Sequence, residues 1–283
     1  MRIHELLEVP FMPEASPKLQ RIAFTNHCGA ELQSLFTEPR HTMASPPWFY
    51  YPFTDIEQSS VELNGDEVNH IIGARRLHPG DLLILMNGKG SLAHCVLDEA
   101  DKKTRRIRLR VSLIAQVEQP EKQRVLASAV PKGDHLSSML DMASQLGMTH
   151  FQPLQFERSV SRWNVKLQTR CERIVLEAAK QSKRAWVPKI EVIQPYSDFL
   201  MSGELKELQM LADQFGHPVH SYQDEIRSAD KLTLIVGPEG GLNAQEMKLA
   251  QQQTLALVRL AEPILRIETA AVAGMAALNQ TGL

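Results

Sequence analysis

Apolar and polar positions alternate differently in three stretches of the chain. From residue 106 to residue 111, apolar Ile107, Leu109 and Val111 alternate with Arg106, Arg108 and Arg110. A period of two puts one face of a strand in a core and the other in water, so the outer face here reads as strongly positive. The neighbouring segments carry the same kind of signal. WFYYPF from Trp48 is aromatic and bounded by prolines, VELNGDEV holds an Asn64-Gly65 turn, and LLILM and SLAHCVLDEA meet through Asn87-Gly88. Short strands at this density predict a small β-barrel over 48–118. One short helix interrupts it at Gly65–Leu77, where Val68, Ile71, Ile72 and Leu77 stand at helical spacing.

After a proline-containing joint at Val117–Lys122 the period lengthens. Asp134 stands where it can cap a helix whose apolar Leu136, Met139, Leu140, Ala143 and Leu146 recur every three or four residues, with Gly147 as the stop. Further helices are predicted over Cys171–Arg184, Ala244–Gln253 and Ile264–Asn279. Between them lie the strand-like runs RVLASAV, FQPLQF, IEVI, LQMLAD, LTLIV and TLALVRL. Strands alternating with helices predict an α/β domain over 119–283, its sheet mostly parallel and covered on both faces. Residues 1–47 differ from both domains. MPEASP, TEPR and ASPP interrupt short apolar pieces, and Pro46-Pro47 closes the segment, so a poorly ordered extension is expected. Met43 stands just before the first structured segment and is an alternative start.

Composition narrows the class. Hydrophobic residues at 43% and charged residues at 23% are those of a soluble globular protein. No apolar run is long enough to span a membrane, and Glu5 and Glu8 interrupt the only place for a signal peptide, so a cytoplasmic location is expected. Cys28, Cys95 and Cys171 are far apart and form no CxxC pair, and the histidines form no HExxH, so neither a disulfide framework nor a metal site is expected. A net charge of −2 conceals strong local excesses. Lys102, Lys103, Arg105, Arg106, Arg108 and Arg110 face only Asp101 within DKKTRRIRLR. Residues 158–189 carry nine basic residues against Glu172 and Glu177. Such patches can neutralise phosphates, although a merely solvated face fits the charge pattern equally well.

Two segments carry the chemistry. In LTLIVGPEGG (Leu232–Gly241) an apolar strand runs directly into a glycine-rich turn, and Asn243 and Glu246 then form a box that can cap the next helix. Glycine at the carboxyl end of a strand lets backbone approach a ligand closely. The loop has neither the Lys-Ser/Thr of a triphosphate cradle nor a GxGxxG fingerprint. The second segment is LALVRLAEPILRIETAAVAGMAAL. Here a strand ends at Leu260, a loop passes Pro263, and Arg266 and Glu268 precede a helix rich in alanine and glycine. The two charges read either as a surface ion pair or as groups kept for a site, because burying them unpaired is costly.

GPEGG followed by ILRIETA resembles the paired loops of the SPOUT superfamily of methyltransferases. Within it the chain resembles the bacterial small-subunit ribosomal RNA uracil-N3-methyltransferase family. Further matches stand at KGD (Lys132–Asp134), QLG (Gln145–Gly147), ERSV (Glu157–Val160), EAAKQSKR (Glu177–Arg184) with VPKI after it, and LAD (Leu211–Asp213), in order over 48–283. The resemblance implies a trefoil-knotted α/β domain preceded by a PUA-like barrel, and a homodimer. It implies S-adenosylmethionine (SAM) held by three loops: Leu211, Ala212 and Asp213; Gly237, Pro238, Glu239, Gly240 and Gly241; and Leu260, Ala261, Ile264, Leu265 and Arg266. The implied substrate is a uridine of 16S ribosomal RNA in the small ribosomal subunit. Uracil N3 carries a proton that must leave as the methyl group arrives. Glu239, Glu268 and an anion-stabilising Arg158 are the candidates, and the sequence does not rank them. The phosphate contacts would be the six cations of 102–110, with Arg162 and Arg184. Arg173, Glu177, Gln181 and Arg184 share one helix face, read either as solvent face or as a wall of the site. The chain departs from the family pattern at Ala261, where glycine is usual, at Pro263, where arginine is usual, and at Gln145, where an acid is usual. The rival readings are a knotted methyltransferase of transfer RNA and a non-catalytic RNA-binding assembly protein on the same scaffold.

Overall fold

The period of two in the first domain builds a six-stranded sheet from β1 (Arg21–Phe24), β2 (Trp48–Tyr50), β3 (Ser60–Asn64), β4 (Leu82–Met86), β5 (Ser91–Asp101) and β6 (Arg106–Val117). The computed structural model describes residues 21–24, 45–54, 59–202 and 207–281. The strand order is β1-β6-β5-β4-β2, with β3 also on β6. Ile107, Leu109 and Val111 of β6 are buried and the arginines between them exposed, as the alternation requires. Two bulges in the β5–β6 ladder, at His94/Cys95 and at Leu97/Glu99, bend the sheet around a core of Phe49, Leu83, Leu85, Leu97 and Leu109. Among the described residues no ladder joins β2 to β1 or β3. The expected helix is one turn, α1 (Asp66–Asn69), running into a π turn at His70–Ala74 that buries Ile71 and Ile72.

Part of the stretch expected to lack fixed structure is a strand. β3 pairs only with the first half of β6, Ser60↔Arg110 to Asn64↔Arg106, leaving the second half an open edge. β1 fills it in parallel, Arg21↔Ile114 to Phe24↔Val117. An unpaired row of backbone donors and acceptors accepts even a four-residue strand. Residues 1–20 and 25–44 lie outside the described residues.

The second domain has an entirely parallel sheet, with strands β7 (Gln123–Ala129), β8 (His150–Gln155), β9 (Lys189–Ile190), β10 (Gln194–Pro195), β11 (Glu207–Pro218), β12 (Lys231–Val236) and β13 (Ala256–Arg259). Their order is β10-β8-β7-β12-β11-β13, with β9 also on β8. Leu232 through Val236 are buried without a break; successive side chains point to opposite faces, so both faces are covered. The helices are α2 (Asp134–Gln145), α3 (Val165–Gln181), α4 (Tyr196–Met201), α5 (Gln223–Ser228), α6 (Ala244–Gln252) and α7 (Ile267–Thr281). α7 packs on α2, β7 and β12, whereas α4 packs on α6 and β8. Hence the segment 260–266, leaving β13 at the sheet edge, passes the carboxyl end of β11 before α7 begins.

Several boundaries differ from the reading of the sequence. α3 starts six residues before the expected Cys171 because the Asn164 side chain accepts the Leu167 N–H at 3.0 Å. It ends at Gln181, and Lys183 turns the chain at φ 56, so Arg184 is not on the helix. Gly133, not Asp134, occupies the N-cap of α2, and the Asp134 carboxylate accepts from Arg170 at 3.1 Å instead. The final helix starts at Ile267, leaving 264–266 as loop.

The domains join at the amino edge of the parallel sheet, where β9 pairs with the first residues of β8. Gly90 N–H donates to the Ala185 carbonyl at 3.1 Å, Val187 N–H to Gly88 at 3.0 Å, and the Trp186 indole N–H to Val117 at 3.0 Å. Ile84, Met86, Leu92 and Ala115 share one core with Ala179 and Ala185. Lys180, with 6% of its side chain exposed, bridges Glu67 of the first domain at 2.9 Å and Glu177 at 2.8 Å. Burial opposes its charge, but the hydrogen bonds to Glu177 and Glu67 outweigh burial and raise its pKa.

Candidate functional site

Because every strand of the second sheet is parallel, the loops after β7, β8, β12 and β13 all emerge at one carboxyl edge, where open α/β sheets bind ligands. The loop after β12 begins at Gly237. A Cβ there would lie 2.5 Å from Leu242 Cδ1, and one at Gly240 would lie 3.3 Å from Arg158 Cδ. Gly241 takes φ 68, a left-handed conformation that favours glycine. Asn243 and Glu246 form the expected capping box: the Asn243 side chain accepts from Gln245 and Glu246 N–H, and Glu246 Oε2 accepts from Asn243 N–H at 2.8 Å.

The other oxygen of Glu246 does something the sequence does not announce. It accepts the N–H of Glu157 at 2.9 Å, and the Asn243 amide donates to the Glu157 carboxylate. Arg158 completes the tie, its Nη1 donating to the Gly240 carbonyl at 2.8 Å. The loop after β8 is thus fastened to the glycine-rich loop after β12. Arg158 is exposed, and its remaining N–H groups stay available beside the neighbouring, also exposed, Glu239.

Glu268 lies elsewhere along this edge. Its side chain is 16% exposed and meets His135 Nδ1 at 3.0 Å, joining the head of α7 to the head of α2. It does not pair with Arg266, which is exposed, so the surface-pair reading of those two charges fails. His135, next to the KGD match, was not singled out by the sequence, which offers no periodic or motif signal for it.

The first of the three expected ligand loops, Leu211–Asp213, lies within β11. Leu211 is buried within β11, and Ala212 is in register with Val258. The strand then bulges over 213–216 before His217 and Pro218 pair with Val258 and Arg259. Asp213 holds the bulge, its Oδ1 accepting the Phe215 N–H at 2.8 Å. A Cβ at Gly216 would lie 2.6 Å from the backbone of Leu257 and Val258, so main chain meets main chain there. In the third loop Ala261 and Leu265 are half-buried while Pro263 and Ile264 are exposed. Three backbone-rich loops from the adjacent strands β11, β12 and β13 therefore line one edge. Closely apposed main chain of this kind suits a nucleoside-bearing ligand read through backbone donors and acceptors.

The expected phosphate contacts fare unevenly. Arg108 lies between Glu62 (3.3 Å) and Glu99 (3.2 Å), and Arg110 meets Asp98 at 3.4 Å, so this face of β6 is largely neutralised. Lys102, Lys103, Arg105 and Arg106 cluster at the β5–β6 hairpin end, and the first three form no ion pair among the described residues. Arg162 is exposed beyond β8. Arg184 is turned inward onto the Ser144 carbonyl, and burial, with Arg124 beside it, lowers its pKa to about 10. Of its supposed companions, Arg173, Glu177 and Gln181 are exposed along α3. Among the described residues no three His, Cys, Asp or Glu side chains gather to hold a metal. No helix among them is long and apolar enough to cross a membrane.

Residues 118–279 match the RNA methyltransferase domain family, and residues 63–109 match the RNA methyltransferase PUA domain family. A Mycobacterium bovis protein named "Ribosomal RNA small subunit methyltransferase E" is 30% identical over 228 residues, covering 77% of this chain and 85% of its own. A Rickettsia conorii protein of the same name is 30% identical over 239 residues, covering 80% and 92%. Among solved structures, a ribosomal RNA small subunit methyltransferase E from Neisseria gonorrhoeae bound to S-adenosyl methionine superposes with a TM-score of 0.75 at 26% identity, covering 83% of this chain and 98% of that one. Family, relatives and fold agree across both domains, and the chain belongs to the ribosomal RNA small subunit methyltransferase E family.

Proposed function

We propose that the chain transfers the methyl group of SAM to N3 of one uridine in 16S ribosomal RNA. The observation that carries the reading is the carboxyl edge, where three backbone-rich loops stand together and Arg158 is fastened to one of them. The residues at 211–213, 237–241 and 260–266 would hold SAM, which when bound supplies an electrophilic methyl group. The chain's own residues then deal with the uracil. Arg158, fixed through Gly240, keeps N–H donors for the negative charge that spreads over the ring as N3 loses its proton. Glu239, exposed in the same loop, is the acceptor we assign to that proton. Glu268, held by His135, positions the heads of α2 and α7.

The reading divides the chain at 48–118 and 119–283, with 1–47 as an extension from which β1 joins the first domain's sheet, and places it with ribosomes in the cytoplasm. It includes a trefoil knot, supported by the crossing of 260–266, and a homodimer. Half-buried Ala273 and Ala276 on α7 and exposed Phe215 and Ile264 at the carboxyl edge support the dimer. Gly274 does not take part, because a Cβ there would run into Leu234 of β12.

Mass mapping of nucleosides in ribosomal RNA from a strain lacking the gene tests the substrate. The expected result is loss of one N3-methyluridine from small-subunit RNA, restored by the gene. An intact ribosomal pattern, or a loss confined to transfer RNA, overturns the reading. Calorimetric titration with SAM separates it from a non-catalytic assembly protein, which would show no binding.

A further inference from the structure

A cavity of about 400 Å³ opens in the first domain, far from the carboxyl edge, lined by Asn69, Ile72, Gly73, Arg76, His78 and Lys102. Its volume lies at the small end of ordinary ligand sites, roughly 300–1,000 Å³. The walls come from two elements. Asn69 through His78 belong to the π turn and the chain leaving it, and Lys102 belongs to the β5–β6 hairpin end.

Both walls are preorganised. Asp101 ties down the hairpin end: its carboxylate accepts from Lys103 N–H at 2.8 Å, Thr104 N–H at 3.3 Å and the Thr104 hydroxyl at 2.7 Å. These bonds, the Thr104 hydroxyl first, hold the Asp101 pKa below its ordinary value. On the opposite wall Arg76 stands at φ 54, in the left-handed region, just past the end of the π turn. Helix ends usually give that position to glycine. Arginine there sets a long cationic side chain at the cavity wall on a backbone that glycine would adopt more easily. Arg76 and Lys102 are exposed, and neither has an ion-pair partner among the described residues. Between the walls, Ile72 supplies an apolar floor, and a Cβ built on Gly73 meets nothing within 4 Å.

We propose that this cavity takes one unpaired nucleotide of the ribosomal RNA, its phosphate between Arg76 and Lys102 and its base over Ile72 and Gly73. Asn69 and His78 then face the base edge or ribose. Single-stranded positions are where RNA offers an open base together with a phosphate, and a pocket combining cations with an apolar floor suits both. The proposal rests on the ribosomal RNA reading above and adds a second contact to it, remote from the methylated base.

Two substitutions test it without endangering the fold. Gly73→Leu adds a side chain where there is open space and fills the cavity. Arg76→Gly removes the guanidinium and suits the left-handed backbone. Each full-length variant is titrated against small ribosomal subunits from a strain lacking the gene, with SAM affinity and thermal midpoint measured alongside. The expected outcome is at least a tenfold loss of subunit affinity in each, with SAM affinity and thermal midpoint unchanged. For Arg76→Gly the salt dependence should also flatten by about one unit of slope, the signature of one lost phosphate contact. Unchanged affinity in both variants overturns the pocket. Weaker binding with an unchanged salt slope overturns the RNA contact in favour of a ribosomal protein. Failure of the methyltransferase reading looks different, because the unmodified chain itself would then neither bind SAM nor methylate.

Discussion

Arg158 touches the glycine-rich loop twice, through its hydrogen bond to the Gly240 carbonyl and through side-chain carbons that an added Cβ at Gly240 would meet at 3.3–3.4 Å. Gly240→Val should therefore displace Arg158 and crowd the loop, weakening SAM binding in calorimetry while the thermal midpoint holds. Unaltered affinity would mean that SAM lies elsewhere. Arg158→Ala should leave SAM affinity nearly intact and reduce kcat by about 10²–10³, the loss typical of one preorganised donor to a developing anion. An equal loss in KM and none in kcat would make it a binding group only. At this scale the sequence was legible where residues act through backbone: GPEGG and its capping box stand in the structure as the residues imply. It was illegible where one side chain serves two partners. Nothing in Asn243-x-x-Glu246 tells that the second Glu246 oxygen reaches Glu157, and nothing in KGDH tells that His135 finds Glu268, because those partners meet only through the fold.

Among the elements, the loop from Asn87 to Gly90 shows how a local signal can be right and incomplete. Asn-Gly marks a turn, and the Asn87 side chain does accept from Lys89 and Ser91 N–H at 2.8 and 3.0 Å. Yet Gly90 is small for a reason outside the hairpin: a Cβ would lie 2.7 Å from Val117 O and from Trp186 of the other domain. Gly80 has a similar φ, 97 against 93, but open space around it. Gly80→Ala should thus cost only the backbone term, roughly 1–2 kcal/mol. Gly90→Ala should add about 1–3 kcal/mol of overpacking and loosen the domain contact. Denaturant unfolding of the two variants side by side measures the difference, and equal losses would refute the packing argument. The alternation in β6 was likewise legible as buried and exposed faces. Its charge was not, because Glu62 and Glu99 reach Arg108 from neighbouring strands that the sequence does not align.

At the scale of the whole molecule, titrating groups bound the pH range of stability. Burial lowers the pKa of His94, and of His150, where Lys189 and Lys231 add to the shift and Glu191 opposes it. A histidine with a lowered folded pKa stabilises fully above its unfolded value, about 6.5, and that contribution fades as pH falls below it. Lys180, with its pKa raised by Glu177 and Glu67 against burial, contributes below its unfolded value near 10.4 and loses that contribution as pH rises further. The thermal midpoint should therefore be lower at pH 5.5 than at pH 7.5, and midpoints that coincide would refute the histidine argument. The change in the period of the apolar pattern at Val117–Lys122 falls between β6, the last strand of the first sheet, and β7, the first of the second. How the domains face each other was not legible, since Trp186 and Lys180 carry no signal of the surface they meet. That arrangement gives α3 a role as a spacer. Its head, at Asn164, follows the loop that carries Arg158, whereas its tail, at Lys180, is fixed to the other domain. Seventeen helical residues at about 1.5 Å each hold the two some 25 Å apart. A flexible strand of RNA bridging such a span would lose much conformational entropy, whereas RNA already set in a particle has lost it before arrival. Under the proposed reading, with one RNA contact at Arg158 and a second in the first domain, the fixed interval would favour a target whose two contact points already stand at the right distance over the same nucleotides in an unfolded transcript.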